Sequence, residues 1–337
     1  MAKDFSSPHC GCKALSEVKV EHFYGIYPSS AYGNLLLVDP LLPPRKCYVD
    51  CITCPLRRDR VTEASLTASQ PSQILGNIEE RLPTGVELNG VLLWGSGDPL
   101  QLVNIHEILL SLRAFLSSRG IGRKLYVHTS LLGLLKCSEG SAQERARFVL
   151  EQVDVLLIPF LWYGAEKYLL GWPRERSFSE YLELLRKTFE SNRDKLIIEL
   201  HLFKVHENYY PEHFHIDETV AVLRYIKAEA LVLKPVDRPP ASPHVKPLPE
   251  SRVKRVCEFF VEEGFKVNID RYEPPSTPPR WQKTATVLYN HLLRIPSKYV
   301  EIKAMYGDLG IIALNNLLSK NMVSRIPWSG DIYFTGK

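Results

Sequence analysis

Apolar residues along this chain follow two alternating patterns. LLLV (Leu35–Val38), VLLWG (Val91–Gly95), KLYVHTS (Lys124–Ser130), VDVLLIP (Val153–Pro159), KLIIELHLF (Lys195–Phe203) and ALVLKPV (Ala230–Val236) are short, nearly continuous apolar runs. Runs of this kind predict strands buried on both faces. Between them lie stretches of helical period, around Pro71–Leu82, Asn104–Arg119, Ala142–Val153, Ser177–Glu190 and Asp217–Lys227. In the second of these, Ile105, Ile108, Leu109, Leu112 and Phe115 recur at helical spacing. Repeated strand–helix units imply a parallel sheet with right-handed crossovers. Six strands are too few for an eight-stranded barrel. The pattern predicts an α/β fold, an open or partial (β/α)6 barrel. Val253–Glu263 adds a helix and Phe265–Tyr272 a further strand.

The segment EPPSTPP, Glu273–Pro279, carries four prolines in seven residues and predicts a stiff, extended linker. The pattern changes after it. Helices are predicted over Trp281–Leu293, Lys298–Tyr306 (stopped by Gly307) and Leu309–Lys320. Two strands then flank a Ser-Gly-Asp turn in VSRIPWSGDIYF. Three helices and a hairpin form a winged-helix-like pattern, which serves packing, dimerisation or nucleic-acid contact. The expected organisation is an N-terminal tail (1–22), a barrel (23–272), the proline-rich linker (273–279) and a winged-helix-like domain (280–337).

Composition narrows the class. With 337 residues, 45% hydrophobic and 24% charged, the chain is neither disordered nor too small for its own core. No stretch approaches the roughly 20 apolar residues of a membrane span, and MAKDFSSPHCGCK lacks the apolar region of a secretory signal. A cytoplasmic protein with no membrane partner is expected. The net charge of +4 divides unevenly, because residues 280–337 hold eight Lys/Arg against three Asp/Glu.

Five of the seven cysteines stand at positions 10, 12, 47, 51 and 54. Cys47, Cys51 and Cys54 form a C-x3-C-x2-C motif on the loop after the first predicted strand. Structural zinc sites take four ligands, usually as two pairs. A cubane cluster also takes four thiolates, so three leave one iron open to a ligand. Zinc completed by His9 or another residue, or unliganded core cysteines, are the alternatives at this stage.

The motif resembles that of the radical S-adenosylmethionine (SAM) superfamily, which carries C-x3-C-x2-C on the loop after the first strand of a partial (β/α)6 barrel. The resemblance covers about Phe23 to Tyr272. More narrowly, FYGIYPSSAYGNLLLVDPLLPPRKC, GSGDPL, the PFLWYG…GWP region and RPPASPHVKPL resemble blocks of a mainly archaeal group related to wyosine (tRNA) synthases. The resemblance implies a [4Fe-4S] cluster on Cys47, Cys51 and Cys54, with SAM chelating the open iron. It implies reductive cleavage of SAM to methionine and a 5′-deoxyadenosyl radical that abstracts hydrogen from a substrate. It also implies a one-electron reductant of the ferredoxin or flavodoxin type. The Gly95–Pro99 segment matches the family's Gly-Gly-Glu-Pro-like element, which makes Ser96, Gly97, Asp98 and Pro99 candidate SAM contacts.

Other positions are less determined. Glu199 and His201, two apart on a strand, share a face, and a buried Glu199 needs SAM, a substrate, or an ion pair with Lys204 or Lys234. Arg238 suits a SAM carboxylate, a substrate phosphate or a structural loop role. Thr53 stands where the family commonly has an aromatic residue. Phe160 and Trp162 stand where the subgroup has polar residues, and could stack on a base, line an apolar pocket or simply end a strand. Cys10 and Cys12 do not complete a metal site alone. The wyosine reaction itself needs further cysteines that this set does not reproduce. An enzyme acting on tRNA or other RNA is the first expectation. Modification of a protein side chain and an iron–sulfur, DNA-binding regulator are the alternatives.

Overall fold

The computed structural model describes residues 18–56, 70–119, 124–135, 142–160, 177–213 and 216–337. His9, Cys10, Cys12, Cys137, Leu161 and Trp162 lie outside the described residues.

Seven parallel strands form the centre: β2 (Gly33–Val38), β3 (Gly90–Leu93), β4 (Lys124–His128), β5 (Val155–Pro159), β6 (Leu196–Val205), β8 (Ala230–Pro235) and β10 (Lys266–Ile269). Six are the apolar runs of the sequence, and the seventh falls within Phe265–Tyr272. β1 (Phe23–Ser29) adds antiparallel to the free edge of β2. Gly25 and Pro28 inside β1 act locally as strand breakers, which hid it from pattern reading. β7 (Asn208–Tyr210) and β9 (Val245–Lys246) pair with the end of β6. Helices α1 (Pro71–Arg81), α2 (Ile105–Arg119), α4 (Ala142–Gln152), α5 (Phe178–Asn192), α6 (Ile216–Tyr225) and α7 (Glu250–Glu262) fill the connections, and the one-turn α3 (Leu132–Leu135) follows β4.

Both faces of the sheet are covered, as the continuous apolar runs require. Leu36 and Val38 pack with helix residues such as Ile78, Leu109 and Leu112. Leu35 and Leu37 join Tyr27, Tyr32, Tyr126 and Val232 on the other face. That face is concave, because the sheet curls until its edges meet at one end. Ser29 bridges to Tyr272, Ser30 N donates to Arg271 O (3.0 Å) and Glu273 N to Pro28 O (3.0 Å). The fold is thus the partial (β/α) barrel, with one parallel strand (β10) and three antiparallel strands (β1, β7 and β9) beyond six.

Residues 273–279 run along the surface and are pinned at both ends, by the Ser29–Tyr272 bridge and by backbone bonds between Thr84 and Arg280. Beyond them come α8 (Thr284–Leu292), β11 (Ser297–Lys298), α9 (Tyr299–Ser319), β12 (Val323–Trp328) and β13 (Asp331–Gly336). β11, β13 and β12 make a three-stranded sheet. α9 holds the second and third predicted helices, with the break at Gly307, whose φ of 61° and ψ of −157° are non-helical. This C-terminal unit rests on the barrel: Val287, Leu288 and Leu292 of α8 share one apolar cluster with Phe23 and Ile26 of β1.

Candidate cofactor site

The loop leaving β2 carries Cys47, Cys51 and Cys54 to the mouth of the curled sheet. All three thiols line one cavity there, half-buried and free of disulfides. The loop is held from several sides. Arg45 donates to Val49 O (2.6 Å) and Asp50 Oδ1 (3.1 Å). Ala241 N donates to Cys54 O (2.6 Å) and Ser242 N to Ile52 O (3.3 Å), which ties the loop to the segment after β8. Thr53 Oγ1 shares a hydrogen bond of 2.8 Å with His201 Nδ1.

The Gly95–Pro99 turn ends β3 and presses against that loop. A Cβ at Gly97 would strike the carbonyl of Lys46, and one at Gly95 would strike the Asp39 side chain. Lys46 N donates to Ser96 O (2.5 Å), and the Gln101 amide donates to Lys46 O. Only glycine permits so close an approach of two backbones. Gly97 and Asp98 line the cavity, whereas Ser96 and Pro99 are buried behind it. Both Asp98 oxygens are already engaged. Oδ1 accepts from Thr129 Oγ1 (2.7 Å) and Leu100 N (3.0 Å), and Oδ2 from Ser130 Oγ (2.6 Å) and Ser130 N (2.8 Å). Asp98 therefore joins the turn to the end of β4.

Glu199 is fully buried inside the sheet and does not line the cavity. Of its two proposed ion-pair partners the structure brings up Lys234, at 3.3 Å; Lys204 pairs with Glu207 instead. His128 Nε2 lies 3.1 Å from Glu199 Oε2, and Tyr32 OH donates to Oε1 (3.1 Å). Lys234 also meets Asp270 (3.6 Å) and stands over the rings of Tyr27 and Trp94. Against burial, Lys234 and His128 hold the Glu199 carboxyl far below the usual carboxylate range. Against the same burial, Glu199, Tyr27 and Asp270 keep Lys234 well above its ordinary value. His201 lines the cavity, and burial pushes it down to about 3, so its ring is neutral near pH 7.

Arg238 reaches the cavity wall with its guanidinium engaged. It grips Asp237 through two bonds (2.9 and 3.0 Å), donates to Pro296 O (3.3 Å) and lies over the Tyr272 ring. Phe160 is buried at the end of β5 and does not line the cavity. Sequence reading missed Trp94, His128, Thr129, Ser130 and Asp270. The legible signal was polar residues closing an apolar run, as in YVHTS, because strand ends at this face build sites.

The donor set fits an iron–sulfur cluster. Burial pushes the Cys47 thiol up to about 11 and that of Cys51 well above its ordinary value, so thiolates there need added positive charge. Among the described residues, no three His, Cys, Asp or Glu side chains converge on a single metal ion. A cubane binds each thiolate on a different iron and needs the sulfurs ringed around a cavity instead.

No protein-family model matches the chain, and no curated protein matches its sequence. Among solved structures it is similar to Streptococcus suis SuiB bound to S-adenosylmethionine, with TM-score 0.45 and 15% identity over 70% of this chain and 51% of that one. The structure of Streptococcus suis SuiB by itself gives 0.42, 13%, 70% and 50%, and SuiB bound to precursor peptide SuiA gives 0.44, 16%, 69% and 48%. The chain spans about half the length of these neighbours. The wyosine-type and archaeal assignments gain no support from them. At this level of similarity, function rests on the site. Among the described residues no helix is long and apolar enough to cross a membrane.

Proposed function

We propose that the protein is a radical SAM enzyme acting on a polypeptide. One observation carries the chemistry: three free thiols line a cavity that is also lined by a glycine turn packed on the thiol-bearing loop. Cys47, Cys51 and Cys54 would hold three irons of a [4Fe-4S] cluster. Such a cluster, reduced by an external one-electron donor, would supply the electron for cleavage of S-adenosylmethionine to methionine and a 5′-deoxyadenosyl radical. The chain's own groups bind, orient and exclude water. The Gly95–Pro99 turn offers backbone groups beside the cluster loop, Asp98 fixes that turn against Thr129 and Ser130, and Trp94, Val236 and Ile295 supply apolar wall.

The polypeptide reading comes from charge. A phosphate backbone is bound by free cations. The cations lining this cavity are each engaged: Arg45 with Asp50, Lys234 with Glu199 and Asp270, Arg238 with Asp237. Of the C-terminal cations Lys298, Lys303, Lys320 and Arg325, which a phosphate backbone would need free, the first two are paired, Lys298 with Asp331 (2.6 Å) and Lys303 with Asp308. Exposed on the same unit instead are Tyr299, Val300, Leu309, Ile312 and Ile332. Such side chains suit protein contact. Fluorescence anisotropy with labelled tRNA at physiological salt tests this choice. The expected Kd is no tighter than the ~10⁻⁶–10⁻⁴ M of non-specific binding. Nanomolar binding with a steep salt dependence would restore RNA as the substrate.

A further inference from the structure

Three consecutive residues of the C-terminal unit reach the cofactor site. Arg294 lies beneath the Gly95–Pro99 turn, Ile295 lines the cavity, and Pro296 accepts a hydrogen bond from Arg238. The first of these is the informative one. Arg294 is enclosed to 1% side-chain exposure, facing Asp39 at 0%. Its Nε donates to Asp39 Oδ2 (2.8 Å), Nη1 to Asn290 O (2.9 Å), and Nη2 to Glu21 O (2.9 Å), while its plane covers the Tyr24 ring.

Asp39 passes the contact on. The same Oδ2 accepts from Ser96 Oγ at 2.6 Å, and Oδ1 accepts from Leu41 N at 3.0 Å. The Asp39 side chain also fills the space where a Cβ of Gly95 would stand. The turn therefore rests on Asp39 from below while Lys46 N holds Ser96 O from the cluster loop. Apolar packing alone would hold the C-terminal unit in place. A buried guanidinium–carboxylate pair does more, because it fixes direction, and here the direction ends at the cofactor turn.

We propose that the strut Arg294–Asp39–Ser96 sets the shape of the Gly95–Pro99 turn, so that the cofactor site is incomplete without the C-terminal unit. Arg294 is a positioning residue: it acts through Asp39 and Ser96. The choice of an S-adenosyl ligand as probe rests on the functional reading above; the strut itself does not.

The test therefore has two arms on the full-length chain. In the first, hydrogen exchange is followed at residues 95–101 without any ligand. Arg294→Gln should speed exchange there at least tenfold while the strands β4 to β6 keep their protection. In the second, anaerobically reconstituted holoenzyme is titrated with S-adenosylhomocysteine in a calorimeter. Ser96→Ala should weaken binding about three- to tenfold, as loss of one buried hydrogen bond would. Ser96→Thr keeps the hydroxyl and should bind within twofold of wild type. If Arg294→Gln does not fold, exchange in Ser96→Ala against Ser96→Thr decides the first arm. Unchanged exchange at 95–101 overturns the strut, as does unchanged affinity in Ser96→Ala. A wild-type holoenzyme that binds no S-adenosyl ligand overturns the functional reading instead, and leaves the exchange arm to judge the strut.

Discussion

Thr53 Oγ1 and His201 Nδ1 are 2.8 Å apart, which joins the loop between Cys51 and Cys54 to the inner face of β6. Here a hydroxyl orients an imidazole, and the ring's other nitrogen, Nε2, is buried with no hydrogen-bond partner among the described residues. His201 lines the same cavity as Cys51, Thr53 and Cys54.

Thr53→Val keeps the side-chain shape and removes the hydroxyl. It should cost about 1–3 kcal/mol of stability, the penalty for a buried polar group left without its partner. Urea unfolding reads this, and the ¹⁵N shifts of the His201 ring should report a changed tautomer balance. A stability within 0.5 kcal/mol (about the scatter of surface substitutions) would show that the bond contributes nothing.

Lys234 is the cation between the buried carboxylates Glu199 and Asp270. Lys234→Met should therefore destabilise the fold by about 3–5 kcal/mol, because removing one partner leaves charge buried and uncompensated. Adding Glu199→Gln to that variant should restore part of the loss. Strict additivity of the two changes would contradict the network.

His291, buried between the barrel and the C-terminal unit, is pushed down to about 3, first by burial and then by the nearby Arg238 and Arg294 cations. Its unfolded value is near 6.5. Between these values the unfolded chain binds the extra proton, so stability rises with pH and falls on acidification. Denaturant unfolding at pH 6 to 4 should show a slope about one proton shallower in His291→Gln than in wild type. His201, held at about 3 as well, keeps part of the slope in that variant.

Much of this was readable from residue order. The apolar runs marked six of the seven parallel strands, because strands buried on both faces need no alternation. The cysteine spacing and the glycine turn marked the two loops that meet at the cavity. Long-range polar pairing left no such signal. Nothing near Arg294 points to Asp39, 255 positions away. The bonds from Thr129 and Ser130 to Asp98 left no signal either, because these partners lie a whole strand–helix unit later. The proline segment read as a spacer, yet both its ends are hydrogen-bonded to the barrel.

Deleting residues 280–337 follows from the same point. A free-standing appendage would leave a folded barrel. Here the cut strips Asp39 of its cation and exposes the apolar face of β1. The truncated chain should lose its cooperative thermal transition, read by near-ultraviolet circular dichroism. A sharp transition near that of the full chain would show that the barrel stands alone.

The central claim is tested most directly by anaerobic reconstitution with iron and sulfide, followed by dithionite and S-adenosylmethionine, with 5′-deoxyadenosine and methionine quantified by mass spectrometry. The account predicts about four irons per chain on the three-cysteine site and equal amounts of the two products. It predicts that Cys47→Ala, Cys51→Ala and Cys54→Ala combined abolish both iron and products. Zinc at these cysteines after strictly anaerobic purification, or a fully iron-loaded protein that yields no 5′-deoxyadenosine, would contradict it.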